Sequence, residues 1–168
     1  TTEIYTLSLH DALPILRREA AAKGVATVIW SYPRGEAITK DGETAIDVAA
    51  YAAQIAALIG AHIIKIKLST DHLMLPEAKK VYEEKAIDVS SQAKRVEHCM
   101  QASFGGRRIV VFSGGAAKGT DAVYDDARAI RDGGGNGSII GRNSFQRSRE
   151  DALAMLGKLV DIYLGKDA

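Results

Sequence analysis

A chain of 168 residues, 46% hydrophobic and 26% charged, is long enough for one domain with a real core, and its mixture is that of a folded protein rather than a disordered or fibrous one. Its 22 Lys and Arg face 21 Asp and Glu, so it lacks the basic field of a nucleic-acid surface, and no apolar run approaches the roughly 20 residues of a membrane span. The single cysteine, Cys99, excludes an internal disulfide and fits a reducing, cytoplasmic compartment.

Residues 1–15 resemble a translated sequencing adapter joined abruptly to a helix-like segment at Arg17, so they are set aside as a non-native leader and one domain is expected over 16–168. The helix stops at Gly24, and the β-branched and aromatic run 25–32 predicts a strand that Pro33, Arg34 and Gly35 break. Residues 44–59 predict a helix capped by Thr44, with Val48, Tyr51, Ala52, Ile55 and Ile59 at helical spacing on its core face. Gly60 ends it, and 61–68 predicts a second strand. Pro76 opens a helix to about residue 84, and Ser90 or Ser91 caps another that Gly105 and Gly106 stop. A third strand at 108–112, a helix at 120–132, a glycine turn at 133–137, a very short strand at 138–140 and a last helix at 148–164 follow. Strands alternating with helices in this way predict an α/β fold with parallel strands and crossover helices, either a doubly wound sheet or a barrel.

Lys65 and Lys67 lie two residues apart inside the second strand, so both point to one face, while Ile64, Ile66 and Leu68 point to the other. An amine held on such a strand is a candidate Schiff-base nucleophile. It has to shed its proton, which apolar surroundings or a neighbouring positive charge favour, and each lysine is placed to supply that charge to the other. From the pattern alone the two have equal standing, and an edge strand whose amines reach water fits them as well.

Ligands of parallel α/β folds gather where the strands end. The first strand ends in Trp30 and Tyr32 on one face, with Tyr32 able to transfer a proton. The third ends in Ser113, Gly114 and Gly115, and the fourth in Gly141, Arg142 and Asn143. Together these two ends predict a phosphate clamp, because glycines let backbone amides approach an anion and helix N-termini and Arg142 add positive charge. His62, His72 and His98 lack ligand spacing, so no metal site is expected.

The ordered set of Trp30-Ser31-Tyr32-Pro33-Arg34-Gly35, Gly60-Ala61 with Lys65-Ile66-Lys67, Ser113-Gly114-Gly115, and Gly141-Arg142-Asn143 with Gln146-Arg147 resembles the archaeal-type class I fructose-bisphosphate aldolases, bacterial members included. The resemblance runs from about residue 16 to the C-terminus. It implies a (β/α)8 TIM barrel with these motifs on strands 5 to 8, so the chain is expected to be a partial barrel, the C-terminal half of a longer enzyme. It also implies Lys65 as the Schiff-base lysine, with Lys67 as its charge neighbour. Tyr32 is then the proton-transferring residue, Trp30 a wall of the site, and Ser113, Gly114, Gly115, Gly141 and Arg142 the phosphate contacts.

The implied activity is reversible cleavage of fructose 1,6-bisphosphate to dihydroxyacetone phosphate and glyceraldehyde 3-phosphate. It needs no metal or other cofactor, and the expected partners are a small phosphorylated sugar and, for the intact enzyme, further copies of itself. The family's catalytic aspartate on the first barrel strand lies outside this chain, and the crossover at 69–107 is longer than in compact archaeal members. Two other readings stay open. One is a related Schiff-base synthase or thiolase acting on another phosphorylated sugar. The other is an inactive half barrel whose open sheet edges make it aggregate or pair.

Overall fold

The computed structural model describes residues 9–167. Helix α1 (Leu9–Ala22) begins inside the segment set aside as a leader and runs through Pro14. Then come β1 (Val28–Trp30), α2 (Ile46–Ile59), β2 (Ile63–Lys67), α3 (Pro76–Glu84), α4 (Gln92–Ala102), β3 (Ile109–Ser113), α5 (Thr120–Asp132), β4 (Ser138–Ile139), α6 (Arg142–Phe145) and α7 (Arg149–Tyr163). Among the described residues no helix is long and apolar enough to cross a membrane.

Local chemistry accounts for the boundaries. Pro76 occupies the first turn of α3, where its fixed φ suits a helix and its missing N–H is not needed. Ser91 Oγ accepts from Lys94 N at 3.2 Å to start α4, and Ser148 Oγ accepts from Asp151 N at 3.1 Å to start α7. Gly60 closes α2 with φ +97°, a left-handed conformation that favours glycine.

Helix α2 departs from expectation in two ways. Thr44 is not its cap: it ends a 3-10 turn (Gly42–Thr44), and α2 starts at Ile46. The Thr44 carbonyl accepts from Thr70 N at 2.8 Å, so its backbone is engaged with the next loop. The core face also differs. Val48 and Ala52 are buried as expected, but Tyr51 is 64% exposed, and the buried face is widened by Ile46, Ala49, Ala50, Ala53, Ala56 and Ala57. Small residues let this helix lie close to its neighbours, and a search for bulky apolar positions misses such a stripe.

The four strands are all parallel and lie in the order β1-β2-β3-β4, the order of the chain. A doubly wound sheet reverses its strand order and carries helices on both faces. Here nothing reverses, and one core joins Ile29, Ile64, Ile66, Val110 and Phe112 to residues of α2, α4 and α5. A second cluster, built on Val123, Ala127, Met155, Leu159 and Ile162, joins α5 to α7. Each Ile, Phe or Met taken fully out of water in these clusters contributes about 1.5–3 kcal/mol.

Among the described residues, the other face of the sheet carries no such cover. Register places Val28, Ile63 and Ile109 on one level, Trp30, Lys65 and Val111 on the next, and Lys67, Ser113 and Ile139 on the level nearest the C-terminal ends. Val28, Trp30, Ile109 and Ile139 are all exposed. This open face, with the loops at its C-terminal rim, positions the site.

Candidate active site

Lys65 sits in the middle of β2, flanked by hydrogen-bonded strands on both sides, and is buried. Its Nζ lies 3.9 Å from the centre of the Trp30 ring and 5.9 Å from that of Tyr32. Trp30 faces it because the two residues are register partners on β1 and β2. Tyr32 follows one strand step later, its ring 6.5 Å from Trp30 and inclined by 26°. Ser31 between them turns the opposite way, and its Oγ donates to Ala52 O of α2 at 2.7 Å. The alternation expected for 30–32 and for 64–67 is therefore present.

Lys67 has a different neighbour. Its Nζ donates to Glu43 Oε2 at 2.9 Å, across the gap from β2 to the 3-10 turn ahead of α2. Hydrogen bonding to Lys67 first, and to Lys40 second, holds the Glu43 carboxyl below the usual carboxylate range. The positive charge that Lys67 was expected to lend to Lys65 is thus shared with a carboxylate.

A cleft of about 650 Å³ opens beside the lysines, within the ~300–1,000 Å³ range of small-molecule sites. Tyr32, Lys65, Lys67, Ser113, Gly114, Gly115, Gly141 and Arg142 all line it. Trp30 stands outside that lining and against the amine. All nine predicted site residues therefore converge on one place at the C-terminal rim of the sheet.

The glycine side is less uniform than the sequence suggested. Gly114 N donates to Ile139 O at 3.1 Å, so that amide is committed to holding the loop. Gly115 has φ +68° and an open space where a side chain would be, which suits close approach by a ligand. Arg142 Nη2 donates to Gly115 O at 3.0 Å, joining the two halves of the cradle. Helix α6 behind it has four residues, too few for a strong end charge, so the Arg142 guanidinium is the main positive group there.

Several residues that shape the site have no role among the expectations. Asn143, 2% exposed, donates from Nδ2 to Gly114 O and Ala116 O, each at 3.0 Å, and accepts from Lys118 N at 2.8 Å. It stitches both glycine loops together with three bonds. Lys118 and Asp126 pair at the cleft wall. Asp47, buried at the start of α2, accepts from Met74 N at 3.1 Å and Leu75 N at 2.9 Å, fixing the loop after β2. Asn143 follows Gly141 and Arg142 directly, and an amide side chain beside a glycine loop is a signal the sequence does carry. Glu43 and Asp47 carry no local signal that sets them apart from the other acids of the chain.

Comparison with known proteins fits this geometry. A family model described as DeoC/LacD family aldolase matches residues 9–147. A probable class 1 fructose-bisphosphate aldolase of Chlamydia muridarum is 31% identical over 155 residues, covering 84% of this chain and 43% of that protein. The class 1 fructose-bisphosphate aldolase of Thermoproteus tenax is 29% identical over 158 residues, covering 94% of this chain and 50% of that protein. The structure of an archaeal fructose-1,6-bisphosphate aldolase with its catalytic Lys covalently bound to the carbinolamine intermediate of the substrate superposes with TM-score 0.72 at 26% identity, over 92% of this chain and 51% of that one. The chain spans about half the length of the curated relatives it matches.

Proposed function

The chain belongs to the DeoC/LacD family of aldolases, and on that premise we propose that it carries the Schiff-base half of an archaeal-type class I fructose-bisphosphate aldolase. Its four strands would be strands 5 to 8 of a (β/α)8 barrel, with the open face of the sheet turned to the lumen. The sequential strand order and the one-sided helix cover support a stretch of barrel wall.

The observation that carries the proposal is Lys65 itself. It is a buried amine against an aromatic wall, lining a cleft that it shares with a glycine and arginine cradle. The Lys65 amine adds to the C2 carbonyl of fructose 1,6-bisphosphate and water leaves, giving a protonated imine. As the C3–C4 bond breaks, its electron pair flows toward the imine nitrogen, and Tyr32 assists transfer of the C4 hydroxyl proton to solvent, its phenol giving up one proton as it receives the other. Glyceraldehyde 3-phosphate departs. Protonation of the remaining enamine at C3 and hydrolysis of the imine release dihydroxyacetone phosphate and restore the amine. Ser113, Gly115, Gly141 and Arg142 hold a substrate phosphate while Trp30 covers one side of the amine.

The isolated chain is expected to cleave this substrate poorly. Its apolar open face and its two edge strands, β1 and β4, are uncovered among the described residues. The test uses the intact enzyme that carries this sequence. Incubation with dihydroxyacetone phosphate and borohydride is expected to abolish cleavage and to add one reduced triose phosphate to the protein mass. Full activity and an unchanged mass after this treatment would overturn the proposal.

A further inference from the structure

The two amines of β2 differ because of one residue. Lys67 is ion-paired with Glu43, their side chains 28% and 15% exposed. The ion pairs among the described residues include Lys67 and do not include Lys65. An amine attacks a carbonyl through its lone pair, and an ammonium donating its protons to a carboxylate has none to offer.

Glu43 is not needed to hold its own loop. Thr39 Oγ1 accepts from Gly42 N at 3.0 Å. Thr44 O accepts from Thr70 N at 2.8 Å, and Ile46 N donates to His72 O at 3.0 Å. Asp47 secures Met74 and Leu75. With the backbone held on both sides, the Glu43 carboxylate is left to the lysines. Lys40 Nζ, at 3.3 Å, approaches it from solvent with a side chain 86% exposed, so the half-buried partner is Lys67.

We propose that Glu43 is a positioning residue that divides the roles of the two lysines. It pins the Lys67 Nζ in an ion pair beside Tyr32 and leaves Lys65 as the lysine of β2 with no carboxylate partner among the described ion pairs. This rests on the Schiff-base assignment above. Lys67 Nζ stays 5.8 Å from the Tyr32 ring centre and keeps N–H groups for a substrate oxygen.

The test is competitive labelling of the 168-residue chain with trace acetic anhydride near neutral pH, read lysine by lysine by mass spectrometry. Glu43→Gln keeps shape and an acceptor oxygen but loses the charge; Glu43→Asp keeps the charge at a shorter reach. Lys67 labelling is expected to rise about threefold or more in Glu43→Gln, the size a partly exposed ion pair supports. It should stay closer to the parent in Glu43→Asp, while exposed Lys79 is unchanged throughout. Unchanged Lys67 labelling in Glu43→Gln overturns the inference, because a purely structural role would tolerate the isosteric amide.

Borohydride trapping in the intact enzyme separates this inference from the assignment it rests on. An adduct confined to Lys65 in the parent and shared with Lys67 in Glu43→Gln supports both. Unmasked Lys67 with no adduct on either lysine overturns the Schiff-base assignment alone. An adduct on Lys65 in every variant, with Lys67 never unmasked, overturns the role of Glu43 alone.

Discussion

The two faces of the sheet are made by alternate residues of the same strands, and they do opposite work. Toward the helices, Ile64, Ile66, Val110 and Phe112 are almost entirely out of water. Toward the other side, their immediate neighbours Trp30, Lys65, Lys67, Ser113 and Ile139 hold an amine, an ion pair, a cradle and exposed apolar surface. Period-two alternation is thus enough to place stability and chemistry one residue apart. Substitutions on the helix side should unfold the chain, and substitutions on the open side should disable it while leaving it folded.

Four outcomes break or sharpen that division, in order of size. Lys65→Met in the intact enzyme is expected to lower cleavage by ~10³-fold or more in steady-state kinetics while changing the unfolding midpoint little. Activity near the parent level would remove the chemistry from the open face. On the helix side, Phe112→Ala should destabilise the 168-residue chain by ~3–5 kcal/mol in urea unfolding, and Ile139→Ser on the open side by under ~1 kcal/mol. Equal losses would mean that both faces are core.

Asn143→Ala sharpens the comparison because Asn143 serves the open side from a buried position. Losing its three loop bonds should cost ~1–3 kcal/mol in unfolding. In kinetics it should raise KM for the phosphorylated substrate more than it lowers kcat. A drop in kcat alone would detach the cradle from phosphate binding.

The smallest effect concerns pH. Burial lowers the pKa of His98 below its ordinary 6.5, and its Nε2 lies 2.7 Å from Tyr82 Oη. The fold therefore favours the neutral ring. Its contribution is present above about pH 6.5 and is lost as pH falls through the lower folded value. Unfolding free energy should fall as pH drops from about 6.5 toward the lower folded value, and His98→Gln should flatten that slope. An unaltered slope would place the acid sensitivity elsewhere.

Much of this is legible in the sequence, for identifiable reasons. Pro76, Ser91, Gly60 and Ser148 mark element ends because their effects act within one turn. The paired lysines and the aromatic pair at 30 and 32 are legible because a strand's period is fixed. The alanine face of α2 is not, since hydrophobic size points to Tyr51 while close packing selects Ala49, Ala53 and Ala56. Glu43 is not either: its partner is 24 residues away, and only the parallel arrangement of β1 and β2 brings their C-terminal loops together. The same holds for Asn143, whose acceptors lie 27 and 29 residues upstream.

The central claim is that Lys65, and not its neighbour on the same strand, is the reacting amine. Peptide-level mass spectrometry of the borohydride-trapped intact enzyme tests it most directly. The expected result is a reduced dihydroxyacetone phosphate adduct on Lys65, with Lys67 unmodified. An adduct on Lys67, or on neither lysine, would contradict it.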